Sequence, residues 1–135
     1  MPALRWGWPV LVVLLGAGAA AADCPPPAPG EQTLQQGAVQ LRWRAEPAVI
    51  RVGEPFVLHV GSCPAGLQLV KVDAVMPEHR HGMNYRPTVR PVGDPREGRW
   101  RADGLLLHMP GRWRLLFDLS ADGRLERLVH EFDVE

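Results

Sequence analysis

Residues 112–120 read RWRLLFDLS. Trp113, Leu115, Phe117 and Leu119 alternate with Arg112, Arg114, Leu116 and Asp118. Successive side chains of an extended chain leave on opposite faces, so this stretch predicts a strand with one face in a core and the other in water. The flanking sequence repeats the pattern. On the C-terminal side ADGR (121–124) makes a hairpin turn and RLVHEFDVE (127–135) a closing strand. On the N-terminal side RWRADGLLL (99–107) points Trp100, Ala102 and Leu106 one way and Arg99, Arg101 and Asp103 the other. A tight turn, MPG, follows it.

Further upstream, AVQLRWRA (38–45) sets Val39, Leu41 and Trp43 against Gln40, Arg42 and Arg44. FVLHVGS (56–62) turns Phe56, Leu58 and Val60 inward and His59 outward. LQLVKVDAVM (67–76) places Val70, Val72, Ala74 and Met76 on one face, and TVRPV (88–92) is a short further strand. No segment after the N-terminal leader carries a run at helical spacing. Seven strands are expected, at 38–45, 55–61, 67–76, 88–92, 99–107, 112–120 and 126–134. With turns at intervals of roughly 8–12 residues they predict an all-β fold, an immunoglobulin-like antiparallel β-sandwich.

The first 37 residues are different. Arg5 followed by WPVLVVLLGAGA and the small residues AAAD (20–23) has the charge, apolar run and cleavage site of a secretory signal peptide over 1–22, cut after Ala22. The apolar run is short of the ~20 residues that span a bilayer, so the exported chain is expected to have no membrane span and to be periplasmic or secreted. An uncleaved anchor is the alternative. A Pro-rich lead-in fills 23–37, and 38–135 forms the domain. The whole chain has 15 basic and 15 acidic side chains, and losing Arg5 leaves a net charge of −1. That balance offers no basic stripe for nucleic acid and no polybasic segment for anionic lipid.

Two cysteines, Cys24 and Cys63, survive cleavage. In an exported chain an even count is read first as a disulfide, and closing a loop of about 40 residues contributes about 4 kcal/mol in the chain-entropy description. The competing reading makes one of them a soft metal ligand. Connections in an antiparallel sandwich alternate between its two ends. Both cysteines then fall at one end, which makes the disulfide sterically reasonable.

The same alternation gathers another set of residues at the opposite end. The loop MPEHRHGMNYRP (76–87) carries His79, His81 and Met83, and the turn HMPG (108–111) carries His108 and Met109. The chain has only five histidines and four methionines. Thioether sulfur is soft and uncharged and suits Cu(I), whereas imidazole serves Cu(I) or Cu(II). Mg²⁺ and Ca²⁺ want carboxylates, and the cluster supplies only Glu78. The spacing of His79, His81 and Met83 by two would aim them to one side of an extended loop. Neighbours in a regular strand point to opposite faces, so His108 and Met109 can share one ion only if the turn at Pro110 twists the backbone.

MPEHRHGM together with GRWRADGLLLHMPGRWRLLFDL resembles the YtkA-like domain family and its relative FixH, over about residues 47–134. These exported or membrane-anchored bacterial domains share a pattern close to M-P-x-H-x-H-G-M, a strand ending in H-M-P-G, and a Trp-containing strand. The resemblance implies an immunoglobulin-like sandwich and copper handling, with the family pattern falling on His79, His81, Met83, His108 and Met109. Periplasmic copper chaperones with a His/Met signature are a looser likeness, since they separate the late His and Met by one residue.

The remaining candidates have plainer readings. Met76 reads as a core plug, His59 as solvated, His130 as a buried and hydrogen-bonded imidazole, and Trp43, Trp100 and Trp113 as core aromatics. A small three-His zinc hydrolase would need a general base, and only Glu78 is near. Ser62 and Ser120, the only serines, lie away from the cluster. A non-catalytic module that docks a membrane or oxidase-assembly complex is a further alternative. The expectation is therefore a non-enzymatic, exported protein that holds one copper ion, preferably Cu(I) with Cu(II) possible, and passes it to a protein partner as a chaperone or sequesters it.

Overall fold

The computed structural model describes residues 24–135; the signal-peptide reading of 1–22 and its cleavage site lie outside them. The fold is all-β and antiparallel. Its strands are β1 (Gln32–Gln36), β2 (Val39–Glu46), β3 (Phe56–Cys63), β4 (Gln68–Met76), β5 (His81–Gly82), β6 (Thr88–Pro91), β7 (Arg99–Leu105), β8 (Gly111–Ala121) and β9 (Arg124–Val134). One sheet has the order β1-β2-β3-β7-β6 and the other β5-β4-β8-β9. Strands β2, β3, β7 and β6 face β4, β8 and β9 in the four-against-three arrangement of an immunoglobulin-like sandwich. Among the described residues no helix is long and apolar enough to cross a membrane.

The alternation in 112–120 has the predicted consequence. Trp113, Leu115, Phe117 and Leu119 are completely buried, and they meet Leu41, Trp43, Leu58 and Val60 from the opposite sheet in one core. Trp43 and Phe117 approach to 5.9 Å between ring centres across the interior. The indole of Trp100, also buried, donates to the hydroxyl of Ser62 at 3.1 Å. That bond satisfies the polar handle of a core aromatic and gives Ser62 a structural task.

Two strands were not expected. The lead-in, read as aperiodic, carries β1, which pairs with β2 from Gln32 against Trp43 to Gln36 against Val39. Its sequence QTLQQ has one apolar residue, so backbone pairing holds it and no hydrophobic pattern announces it. β5 is a two-residue strand on β4, with His81 opposite Met76 and Gly82 opposite Val75.

Two β-bulges correct the expected faces. In β4 an extra residue at Val70 lets Leu69 pair with Leu119 and Lys71 with Asp118. Leu69 is therefore buried and Val70 half exposed to solvent. In β7 an extra residue at Asp103–Gly104 separates the Leu58–Ala102 and Phe56–Leu105 pairs, and Gly104 takes the left-handed φ of +86° that glycine tolerates. Beyond it Leu105 and Leu107 fill the core, while Leu106 is only partly buried.

Cys24 and Cys63 form a disulfide. It fastens the lead-in to the end of β3, at the pole of the sandwich expected from the alternating connections.

Candidate metal centre

At the opposite pole the chain leaves β4 at Met76 and enters a single 3-10 turn, Pro77–His79. Pro77 suits the first position of such a turn because its φ is already fixed and its missing N–H is not needed there. Arg80 closes it, with left-handed φ of +53° and its N–H donating to the Pro77 carbonyl at 3.2 Å. The segment is thus not extended, and the expected row of His79, His81 and Met83 on one side does not form. His79 stands in solvent, whereas His81 and Met83 are half-buried.

β5 brings His81 down onto β4. Gly82 permits this approach, since a Cβ at that position would lie 3.1 Å from the Ala74 carbonyl oxygen. The Met83 N–H then donates to that same carbonyl at 3.1 Å, which anchors the return of the loop. From the other side, β7 ends at Leu105, so Leu106–Pro110 escapes strand alternation. His108 and Met109 are both half-buried in consequence. The Trp113 indole donates to the Met109 carbonyl at 3.0 Å and holds the turn in place.

These elements bring the imidazoles of His81 and His108 to 5.2 Å between ring centres, and His79 to 5.8 Å from His81. A metal–imidazole bond is about 2.0 Å and the ring centre lies about 1 Å further back, so two rings sharing one ion sit about 5–6 Å apart. Both His81 and His108 meet Trp113 edge to face, at 6.2 and 5.7 Å. Sequence reasoning treated Trp113 only as a core residue. Its position four residues after Met109, in MPGRW, is the signal that it also walls this site.

The nitrogens carry the chemical content. His81 Nδ1 lies 3.3 Å from the His79 carbonyl oxygen. A carbonyl can only accept, so Nδ1 bears the proton and Nε2 is left with a free lone pair in the neutral ring. That Nε2 is buried and has no hydrogen-bond partner, and the same is true of His108 Nδ1. Buried polar atoms are normally paired, and orphaned nitrogens on two rings whose centres are 5.2 Å apart need a reason. A metal ion accepts such lone pairs, and a backbone carbonyl bound to the far nitrogen of a ligating imidazole is the usual way its tautomer is set.

Among the described residues, no group of three or more His, Cys, Asp or Glu side chains is placed to hold a metal ion. Two imidazoles joined by thioethers would be a site of another kind. Met83 and Met109 follow His81 and His108 by two residues and one residue in the chain, and both pack against the core edge. Met76 is a core residue, 1% exposed, with its Cε beneath Gly111, where a Cβ would come within 2.8 Å of it. At the rim, Arg112 is held above its ordinary pKa first by its bond to Asp133, with Glu78 contributing at longer range.

The other histidines stand apart. His59 pairs with Glu46 at 2.6 Å on the solvent face of β3, and this bond holds the Glu46 carboxyl below the usual range. His130 packs edge-on against Trp43 at 4.9 Å and stacks on Phe132 at 5.9 Å.

What the fold and this pole define is a disulfide-stapled all-β sandwich with a histidine and methionine cluster at the end remote from the staple. No family model, curated protein or solved structure matches the chain.

Proposed function

We propose that this protein is an exported copper-binding protein that holds one copper ion, preferentially Cu(I), between His81 Nε2 and His108 Nδ1 with thioether support from Met83 and Met109. The observation that carries the reading is the pair of buried, unpartnered imidazole nitrogens on rings 5.2 Å apart. Two neutral nitrogens and soft sulfur favour Cu(I) over harder ions, and the low count of carboxylates argues against Mg²⁺ and Ca²⁺. The resemblance to YtkA-like domains points the same way, as does the disulfide, which suits an oxidising compartment.

His79, exposed and one ring away from His81, is an exchange ligand in this reading. It meets an incoming or departing ion at the surface while the sheltered pair holds it. Ligand exchange with a protein partner needs no opening of the sandwich, because the cluster sits on turns at one pole of a rigid scaffold. The role is that of a carrier or sequestering protein, and not of an enzyme.

The test is competition for Cu(I) between the purified protein and a chromophoric chelator. Near-stoichiometric withdrawal of copper by the protein is expected, with quenching of Trp113 fluorescence because the indole lies beside both imidazoles. Failure to compete would sink the copper reading, and a docking module indifferent to His81→Ala would take its place. Zinc bound in the purified protein together with hydrolytic turnover would favour the three-histidine enzyme.

A further inference from the structure

The two sheets have four outer edges, and three of them are much shorter than the fourth. β5 has two residues, β6 has four and ends in Pro91, and β1 has five. Short edges and proline prevent unwanted strand addition. The fourth edge, β9, is different. It runs for eleven residues, Arg124–Val134, in unbroken register with β8 and without proline, glycine or bulge. No strand among the described residues forms a backbone ladder with its outer side, although β1 of the other sheet runs beside it and the Gln36 side-chain amide donates to Glu126 at 3.2 Å.

The solvent face of that edge is patterned. Val129, the midpoint of β9, is 41% exposed, and its cross-strand neighbours are Leu116 and, beyond it, Asp73. Arg127 sits two residues to one side and is bonded to Asp118 at 2.6 and 2.8 Å, with Lys71 next in the same row. Glu131 sits two residues to the other side, paired with Arg114.

We propose that β9 pairs antiparallel with β9 of a second copy of this chain about a two-fold axis at Val129. In that register Val129 faces its own symmetry mate, and Arg127 of each copy faces Glu131 of the other. The row through Lys71, Asp118 and Arg127 then continues across the interface into Glu131 and Arg114 of the second copy. Its charges alternate in sign at every step, and opposite charges directly across a strand pair stabilise it. A register centred on Arg127 or on Glu131 would oppose like charges at its centre. The two four-stranded sheets become one continuous sheet, an isologous interface that closes on itself. The inference is independent of the copper site, which lies at the sandwich pole.

Sedimentation velocity of the purified protein at rising micromolar concentrations should show a monomer–dimer equilibrium. Val129→Lys places two ammonium groups at the axis, and it should leave only monomer, with unchanged circular dichroism and a melting temperature that no longer rises with concentration. Oxidised Val129→Cys should cross-link into a covalent dimer, whereas Leu125→Cys, more exposed at 71% but opposite Asp133 of the second copy, should not. A wild-type protein that stays monomeric overturns the proposal, leaving the edge to a strand of another chain. Equal cross-linking from both cysteine variants also overturns it.

Discussion

The imidazole of His108, on the turn before β8, lies 5.2 Å from that of His81 on β5, and both stand at 80° to the ring of Trp113. A core tryptophan thus fixes the orientation of two side chains that arrive from separate loops. Neither ring is free to swing away without uncovering the indole.

From this follows the first prediction. Replacing either His81 or His108 by alanine should lower Cu(I) affinity by more than the 10–100-fold that loss of a supporting partner costs a metal site, roughly speaking. His79→Ala should change equilibrium affinity far less and slow transfer to an acceptor. Chelator competition reads the first effect and stopped-flow exchange the second.

Met76 separates packing from ligation. Its side chain is buried and closes the core beneath Gly111. Met76→Leu conserves volume and should cost less than about 1.5 kcal/mol, whereas Met76→Ala should cost about 2–5 kcal/mol. Copper stoichiometry should be unchanged in Met76→Leu; loss of copper there would make Met76 a ligand.

His130 makes stability depend on pH. Burial against Trp43 and Phe132 lowers its pKa below the ordinary value. The unfolded chain takes up this proton first as pH falls below about 6.5, so it gains relative to the folded form. The stabilisation is complete above the unfolded pKa and is lost as pH falls through the folded one. Urea unfolding between neutral and mildly acid pH should show a drop for the wild type that is smaller in His130→Phe.

The disulfide should carry a large share of the stability. Cys24→Ser with Cys63→Ser should cost about 4 kcal/mol by the loop-entropy argument and lower the melting temperature by at least about 15 °C. Calorimetry of oxidised and reduced protein checks it. Copper affinity should persist at temperatures where the variant is folded, because the bridge and the histidines occupy opposite poles.

Much of the fold is legible in the sequence because seven strands bury one face and show period two. The faces of Val70 and Leu106 were misread for one reason, that a bulge inserts a residue without changing composition. β1 was hidden because Gln and Thr around Leu34 look like loop. That the loops carrying His81, Met83, His108 and Met109 meet at one pole was legible from topology, since loop parity alone puts them there. The solvent exposure of His79 was not. It depends on Pro77 starting a turn that Arg80 completes in left-handed geometry, and no hydrophobic pattern records that.

The bulge at Asp103–Gly104 has a consequence for how this chain tolerates length changes. Deleting Gly104 would restore simple alternation and advance everything after it by one place. Leu106 would inherit the slot of Leu105, and His108 would be driven into the dry space now filled by Leu107. A one-codon loss four residues before His108 would therefore swallow an imidazole into hydrocarbon, so the geometry of this pole is tied to a residue count as firmly as to residue identity.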